Sequence, residues 1–151
     1  KSRGIELEAS LRMNEFFLNG GLTWTDAEIS KDDISPANEG NTPRRQADVV
    51  YQLTGGYAAA NWTVGANVIG TTDAYAQDNN QLVMPGYTQV NLFADYRFAE
   101  NWVVGLNVNN LFDTFGITES EEGGIVANTE NIIRARSIPG RTASLSVRYE
   151  F

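Results

Sequence analysis

The 151-residue sequence has neither cysteine nor histidine and a deficit of basic residues, and each shortage closes off a class of function. Without cysteine there is no disulfide scaffold and no thiolate metal site, which suits, without requiring, passage through an oxidising periplasm. Without histidine the commonest general base and the commonest metal ligand are both missing. Neither Ser/His nor Cys/His catalysis can be assembled, and no enzymatic activity, metal or cofactor is expected of the chain. The 11 Lys and Arg residues stand against 19 Asp and Glu, and a net charge of −8 argues against nucleic acid, which needs a basic face. Long apolar runs are missing too. Nothing approaches the ~18 consecutive apolar residues of a membrane helix, although spanning strands alternate and keep average hydropathy low.

What remains is rich in strand-forming and turn-forming residues: 42% hydrophobic, 11% aromatic and 14 glycines. The final stretch shows the pattern most clearly. From Ala143 the odd positions Ala143, Leu145, Val147, Tyr149 and Phe151 are apolar, and the even ones Ser144, Ser146, Arg148 and Glu150 are polar. Period-two alternation predicts a strand with one face in an apolar medium. The same alternation recurs upstream. Ile5, Leu7, Ala9 and Leu11 face away from Glu6, Glu8, Ser10 and Arg12, and after a turn at Met13-Asn14-Glu15 come Phe16, Leu18, Gly20, Leu22 and Trp24. Further alternating runs carry Val49, Tyr51 and Leu53 against Asp48, Gln52 and Thr54; then Trp62, Val64, Ala66 and Val68; then Val90, Leu92, Ala94, Tyr96 and Phe98; then Val104, Leu106 and Val108. With the terminal run this gives seven predicted strands.

The connections alternate in length. Short turns follow Met13, Ala60 and Ala99, whereas polar segments over 26–43, 73–85 and 113–138 are long. Short turns on one rim and long loops on the other are the pattern of an antiparallel transmembrane β-barrel. The runs span about ten to thirteen residues, enough for a tilted strand to cross a bilayer and longer than the ~5–6 typical of soluble strands. Phe16, Trp62 and Trp102 directly follow the short turns, and Tyr57, Tyr96, Phe98, Tyr149 and Phe151 lie at the same strand ends; Trp24, Tyr75 and Tyr87 lie near the long loops. Two aromatic bands are therefore expected, as at the two interfaces of a membrane barrel. Glu6, Glu8, Arg12, Asp48, Asp95 and Arg97 all fall on the polar side of the alternation, and they are candidates for contact with an internal domain or ligand. An Arg on the lipid side near the midplane would cost ~2–4 kcal/mol. A soluble sandwich whose last strand ends on Phe remains the competing fold.

The last strand resembles the carboxy-terminal signal by which bacterial outer-membrane barrels are recognised by their assembly machinery, with Leu145, Val147, Tyr149 and Phe151 as its apolar set. A second resemblance rests on Ser2-Arg3-Gly4-Ile5-Glu6-Leu7-Glu8, on Asn109-Asn110-Leu111-Phe112-Asp113 closing the penultimate strand, and on Pro139-Gly140-Arg141 opening the last. Together they resemble the carboxy-terminal barrel of TonB-dependent outer-membrane receptors. That family implies a barrel of about 22 strands around an amino-terminal plug, importing a scarce nutrient, most often a ferric siderophore, with cobalamin or an oligosaccharide as other cargoes. It also implies energy from the TonB complex and residence in the outer membrane of a Gram-negative bacterium.

An odd number of antiparallel strands would leave two parallel edges if closed on itself, and open edges in hydrocarbon are prohibitive. The expectation is that residues 1–151 form the carboxy-terminal portion of a longer barrel, with plug and earlier strands preceding Lys1. A passive porin or a small structural outer-membrane barrel would share the alternation, the aromatic bands and the terminal Phe. Glu119, Glu121 and Glu122 match no calcium-loop spacing and read as a solvated acidic loop.

Overall fold

Alternation becomes strand pairing in the computed structural model of the chain, which describes residues 1–121 and 133–151. The long strands are β1 (Ser2–Met13), β2 (Phe16–Ala27), β3 (Val49–Ala58) and β4 (Trp62–Thr71). A two-residue pair, β5 (Ala74–Tyr75) and β6 (Val83–Met84), precedes β7 (Tyr87–Ala99) and β8 (Trp102–Asn109). A second small hairpin, β9 (Ile117–Ser120) with β10 (Ala135–Ser137), leads to β11 (Thr142–Tyr149). The expected all-β antiparallel architecture is what the chain adopts: one seven-stranded sheet in the order β1-β2-β3-β4-β7-β8-β11, open at β1 and β11. Every neighbouring pair is antiparallel.

The hairpin connections on one rim are tight, and in the first of them one residue takes an unusual backbone conformation. Asn14, at φ 53°, takes the left-handed conformation that a short polar side chain tolerates. The opposite rim carries the long connections, and there the small hairpins β5–β6 and β9–β10 and a 3-10 turn at Pro36–Asn38 form.

Two of the long strands are shorter than alternation suggests: β8 and β11 each have 8 residues rather than ten to thirteen. Asn110 ends β8 by turning left-handed at φ 50°, and Pro139-Gly140 delays the start of β11.

The sheet has no layer on either face among the described residues. Four apolar residues are buried, Ala47, Ala76, Met84 and Val103, and the first three belong to the long connections or the short β6. The nearest thing to a core therefore sits in the loop crown. The crown is tied across connections: Asn80 Nδ2 donates to Thr42 O at 2.7 Å while Asn80 Oδ1 accepts from the Thr42 amide at 3.0 Å. Asp78 Oδ1 accepts from the Arg44 amide at 2.9 Å, and the Arg45 amide donates to Tyr75 O at 2.6 Å.

Candidate functional site at the sheet faces and loop crown

Register sorts every strand residue onto one of two faces. One row across the sheet reads Leu11, Leu18, Gly55, Ala66, Leu92, Val108, Ala143, and the next reads Met13, Phe16, Tyr57, Val64, Ala94, Leu106, Leu145. These rows cross all seven strands without a polar side chain. Leu7 is 61% and Leu145 72% exposed, so the face is an uncovered apolar expanse far beyond the patches of a soluble monomer.

The band of rings at the short-turn end lies on this face. Phe16 meets Tyr57 edge-on at 5.1 Å, Trp62 stacks on Tyr96 at 4.2 Å, and Phe98, Trp102, Tyr149 and Phe151 follow at 6.2, 5.0 and 5.0 Å. At the other end the expected band is not assembled as predicted. Trp24 lies on the apolar face between Ile5 and Val49. Tyr75, however, sits in the β5–β6 hairpin of the crown, and Tyr87 pairs with Thr71 on the polar face, where its ring covers Gly116. Counting back from Val90 puts Tyr87 on the opposite parity, and this correction was open to the sequence. Tyr51 takes the outer place: it lies on the apolar face, its ring over Gly70 and its hydroxyl hydrogen-bonded to Thr88 Oγ1.

The opposite face carries a hydrogen-bonded ladder. Asn67 Nδ2 donates to Thr54 Oγ1 at 2.8 Å, Asn91 Nδ2 to Asn67 Oδ1 at 3.2 Å, and Gln89 Nε2 to Asn91 Oδ1 at 2.8 Å. Asn91 Oδ1 also accepts the Asn110 amide at 2.9 Å. Besides Tyr87, two rings interrupt the polar surface where glycines make room: Phe17 covers Gly56 and Phe93 covers Gly65, its cross-strand partner. A Cβ at Gly65 would run into the Phe93 ring and the Gly55 carbonyl oxygen. These glycines serve close approach by rings and backbone.

The predicted polar residues fall into separate places on this face. Glu6 and Glu8 line one depression together with Thr23, Gln52, Thr71 and Tyr87. Arg12, opposite Phe17, lies near the short turns, while Asp48 precedes β3 at the loop end, its carbonyl accepting the Thr25 amide at 2.8 Å. Asp95 and Arg97 line a cleft with Arg148 at the short-turn end. Arg97 Nη2 donates to Glu150 Oε2 at 2.8 Å, and Arg148 Nε meets Glu150 Oε1 at 3.2 Å. Glu150, which alternation marks only as polar, is thus the carboxylate that joins two arginines.

The terminal motifs acquire a physical reason. Asn110 is 1% exposed; its Nδ2 donates to Thr114 O at 2.9 Å and to Pro139 O at 3.0 Å, and its Oδ1 accepts the Thr114 amide at 2.8 Å. Asp113 Oδ1 accepts the Arg141 amide at 2.8 Å, and Arg141 Nη1 reaches Leu111 O at 3.3 Å. Asn-Leu-Phe-Asp and Pro-Gly-Arg are two halves of one clasp.

In the crown, Asp32 accepts the Ser35 amide at 2.8 Å, the Ile34 amide at 3.1 Å and Asn38 Nδ2 at 3.0 Å. The Ser35 amide is the chief reason that its carboxyl titrates below the ordinary value, with Asn38 next. Glu119 bonds with Arg45 and Arg136 and Glu121 with Arg134, so these two are ion-paired side chains, and Glu122 lies outside the described residues. No cluster of metal-ligating side chains occurs among the described residues.

Known proteins share both sequence and shape with this chain. The model of the TonB dependent receptor-like, beta-barrel family matches residues 1–111. The metal-pseudopaline receptor CntO of Pseudomonas aeruginosa (strain UCBPP-PA14) is 32% identical over 119 residues, covering 75% of this chain and 17% of that receptor. The chain thus spans about a sixth of the curated relative's length. Among solved structures, the siderophore receptor PiuA from Acinetobacter baumannii superposes with a TM-score of 0.86 at 23% identity, over 98% of this chain and 21% of that one. The ferric yersiniabactin uptake receptor FyuA from Yersinia pestis gives 0.83 at 19% identity, over 99% and 23%. At these identities the structures speak to the fold, and the sequence match speaks to descent: the chain belongs to the TonB-dependent receptor-like β-barrel family.

Proposed function

We propose that the chain is a portion of the barrel wall, the carboxy-terminal one, of an outer-membrane receptor that imports a scarce nutrient as a metal chelate, a ferric siderophore first among them, driven by the TonB complex. The observation that carries the reading is a family-matched sheet with one face apolar from strand to strand, its polar groups Arg3, Asp26 and Thr88 confined to the loop end, and one polar, hydrogen-bonded face. In this reading the apolar face meets lipid, the rings from Phe16 to Phe151 sit at the periplasmic headgroup level, and the loop crown faces the medium. Glu6, Glu8, Arg12, Asp48, Asp95 and Arg97 then face the lumen, where a plug contributed by the rest of the receptor would meet them. Leu145, Val147, Tyr149 and Phe151 present the pattern read by the barrel-assembly machinery. The chain's own role is transport and positioning, with no chemical step assigned to it.

Receptors named for metal-pseudopaline, a siderophore and ferric yersiniabactin as relatives favour a metal chelate over cobalamin or an oligosaccharide. Family membership leaves the passive porin and the small structural barrel without support. The test is growth and radio-iron uptake by cells carrying the full-length gene, a deletion of it, or a deletion of tonB, with a panel of iron chelates under iron limitation. The expected result is uptake of at least one chelate that needs both genes. Uptake that persists without tonB would contradict active import.

A further inference from the structure

A cleft in the loop crown stands apart from both sheet faces. It is lined by Arg45 from the β2–β3 connection and by Glu119, Ser120, Glu121, Arg134 and Arg136 from the β9–β10 hairpin and its flanks. Among the described residues, the guanidinium groups of Arg45, Arg134 and Arg136 meet the carboxylates of Glu119 and Glu121 there. Glu119 stands between two of the arginines: its Oε1 is 3.6 Å from Arg45 Nη1 and its Oε2 is 3.2 Å from Arg136 Nη1. Arg134 lies 3.7 Å from Glu121. All three separations exceed the ~2.7–2.9 Å of a well-formed charge-assisted bond.

Ser120 supplies an independent sign. It is 4% exposed, it lines the cleft, and its Oγ has no hydrogen-bond partner among the described residues. A buried hydroxyl without a partner calls for one. The lining is also held in place: Arg45 Nη2 donates to Ser120 O at 2.8 Å, and the Arg45 amide donates to Tyr75 O at 2.6 Å. Arg45 thereby joins three long connections at one residue.

We propose that this cleft binds a carboxylate of a small anionic ligand, which displaces Glu119 from Arg45 and Arg136 and accepts a hydrogen bond from Ser120 Oγ. Glu119 is an internal template, since it shows that a planar two-oxygen group fits the span between the guanidinium groups. The inference rests on the importer reading and deepens it: the chelates admitted are those that keep a free carboxylate after binding their metal.

The test is calorimetric titration of the full-length receptor in detergent with tricarballylate, a metal-free tricarboxylate, and in parallel with inorganic phosphate. Tricarballylate should bind, more weakly as salt is added. Arg136→Gln should weaken it roughly tenfold, the loss of one charge-assisted bond. Glu119→Gln should tighten it several-fold by removing the internal competitor. Arg136 is exposed and Glu119 half-buried, and unchanged heat-modifiable gel mobility identifies variants that remain folded. The proposal is overturned if folded Glu119→Gln weakens binding in step with Arg136→Gln, if neither changes it, or if phosphate binds and tricarballylate does not. TonB-dependent uptake of a chelate without tricarballylate binding overturns the cleft alone. Binding with the stated signature, beside no TonB-dependent uptake of any chelate, upholds the cleft and overturns the importer reading.

Discussion

Asn110 joins elements that are far apart in the chain. Buried, left-handed and holding both Thr114 and Pro139, it closes β8 and seats the segment that opens β11. Asn110→Ala leaves buried backbone groups unpaired in a conformation that alanine resists, and should cost roughly 2–4 kcal/mol. The urea midpoint of the full-length receptor in lipid vesicles measures it, and Asn110→Gly, which keeps the backbone free, should lose less. Asp32 makes a pH-dependent prediction. Its folded pKa is depressed, so its contribution is present above the unfolded carboxyl value near ~4 and is lost as pH falls through the folded one. Protease cleavage within 28–41 should therefore rise in acid below about pH 4, and Asp32→Asn should raise it already at neutral pH. The sequence displayed Asn110 and Asp113 only as letters of a motif, because their partners Pro139 and Arg141 lie more than 25 positions away in the chain.

Strands were legible because their signal is local. Alternation places Leu92 and Leu106 on one face and Asn91 and Asn107 on the other, and pairing then aligns them across the sheet. The same regularity gives a signed prediction. Leu106→Arg, in the middle of the apolar face, should destabilise insertion by ~2–4 kcal/mol, while Asn107→Arg one position on should be tolerated. The fraction of folded, heat-modifiable receptor in outer-membrane preparations reports both. Ends were less legible than middles, since the stops at Asn109 and Thr142 depend on the clasp. β5 and β6, two residues each, carry no period to read, and β9 and β10 are scarcely longer. The burial of Ala47, Ala76 and Met84 follows from bonds such as Asn80 to Thr42, which join different connections. Nearness to the loops alone puts Tyr75 and Tyr87 in the outer band, which ignores parity and the hairpin that holds Tyr75.

At the scale of the molecule, stability has an unusual source. The described residues bury few apolar side chains among themselves, and large ones such as Ile5, Leu7, Leu106 and Leu145 are exposed. Hydrophobic burial must then come from the surroundings, and backbone pairing within the sheet removes the polar groups that hydrocarbon would penalise. Lipid contact, lumen contact and import all depend on the sheet having two faces. A nitroxide scan along β7 of the full-length receptor in vesicles, from Gln89 to Tyr96, tests it most directly by comparing accessibility to dissolved oxygen and to a polar nickel complex. Period-two behaviour is expected: oxygen favoured at Val90, Leu92, Ala94 and Tyr96, and the nickel complex favoured at Gln89, Asn91, Phe93 and Asp95. Uniform accessibility along the strand, or the inverse alternation, would contradict it.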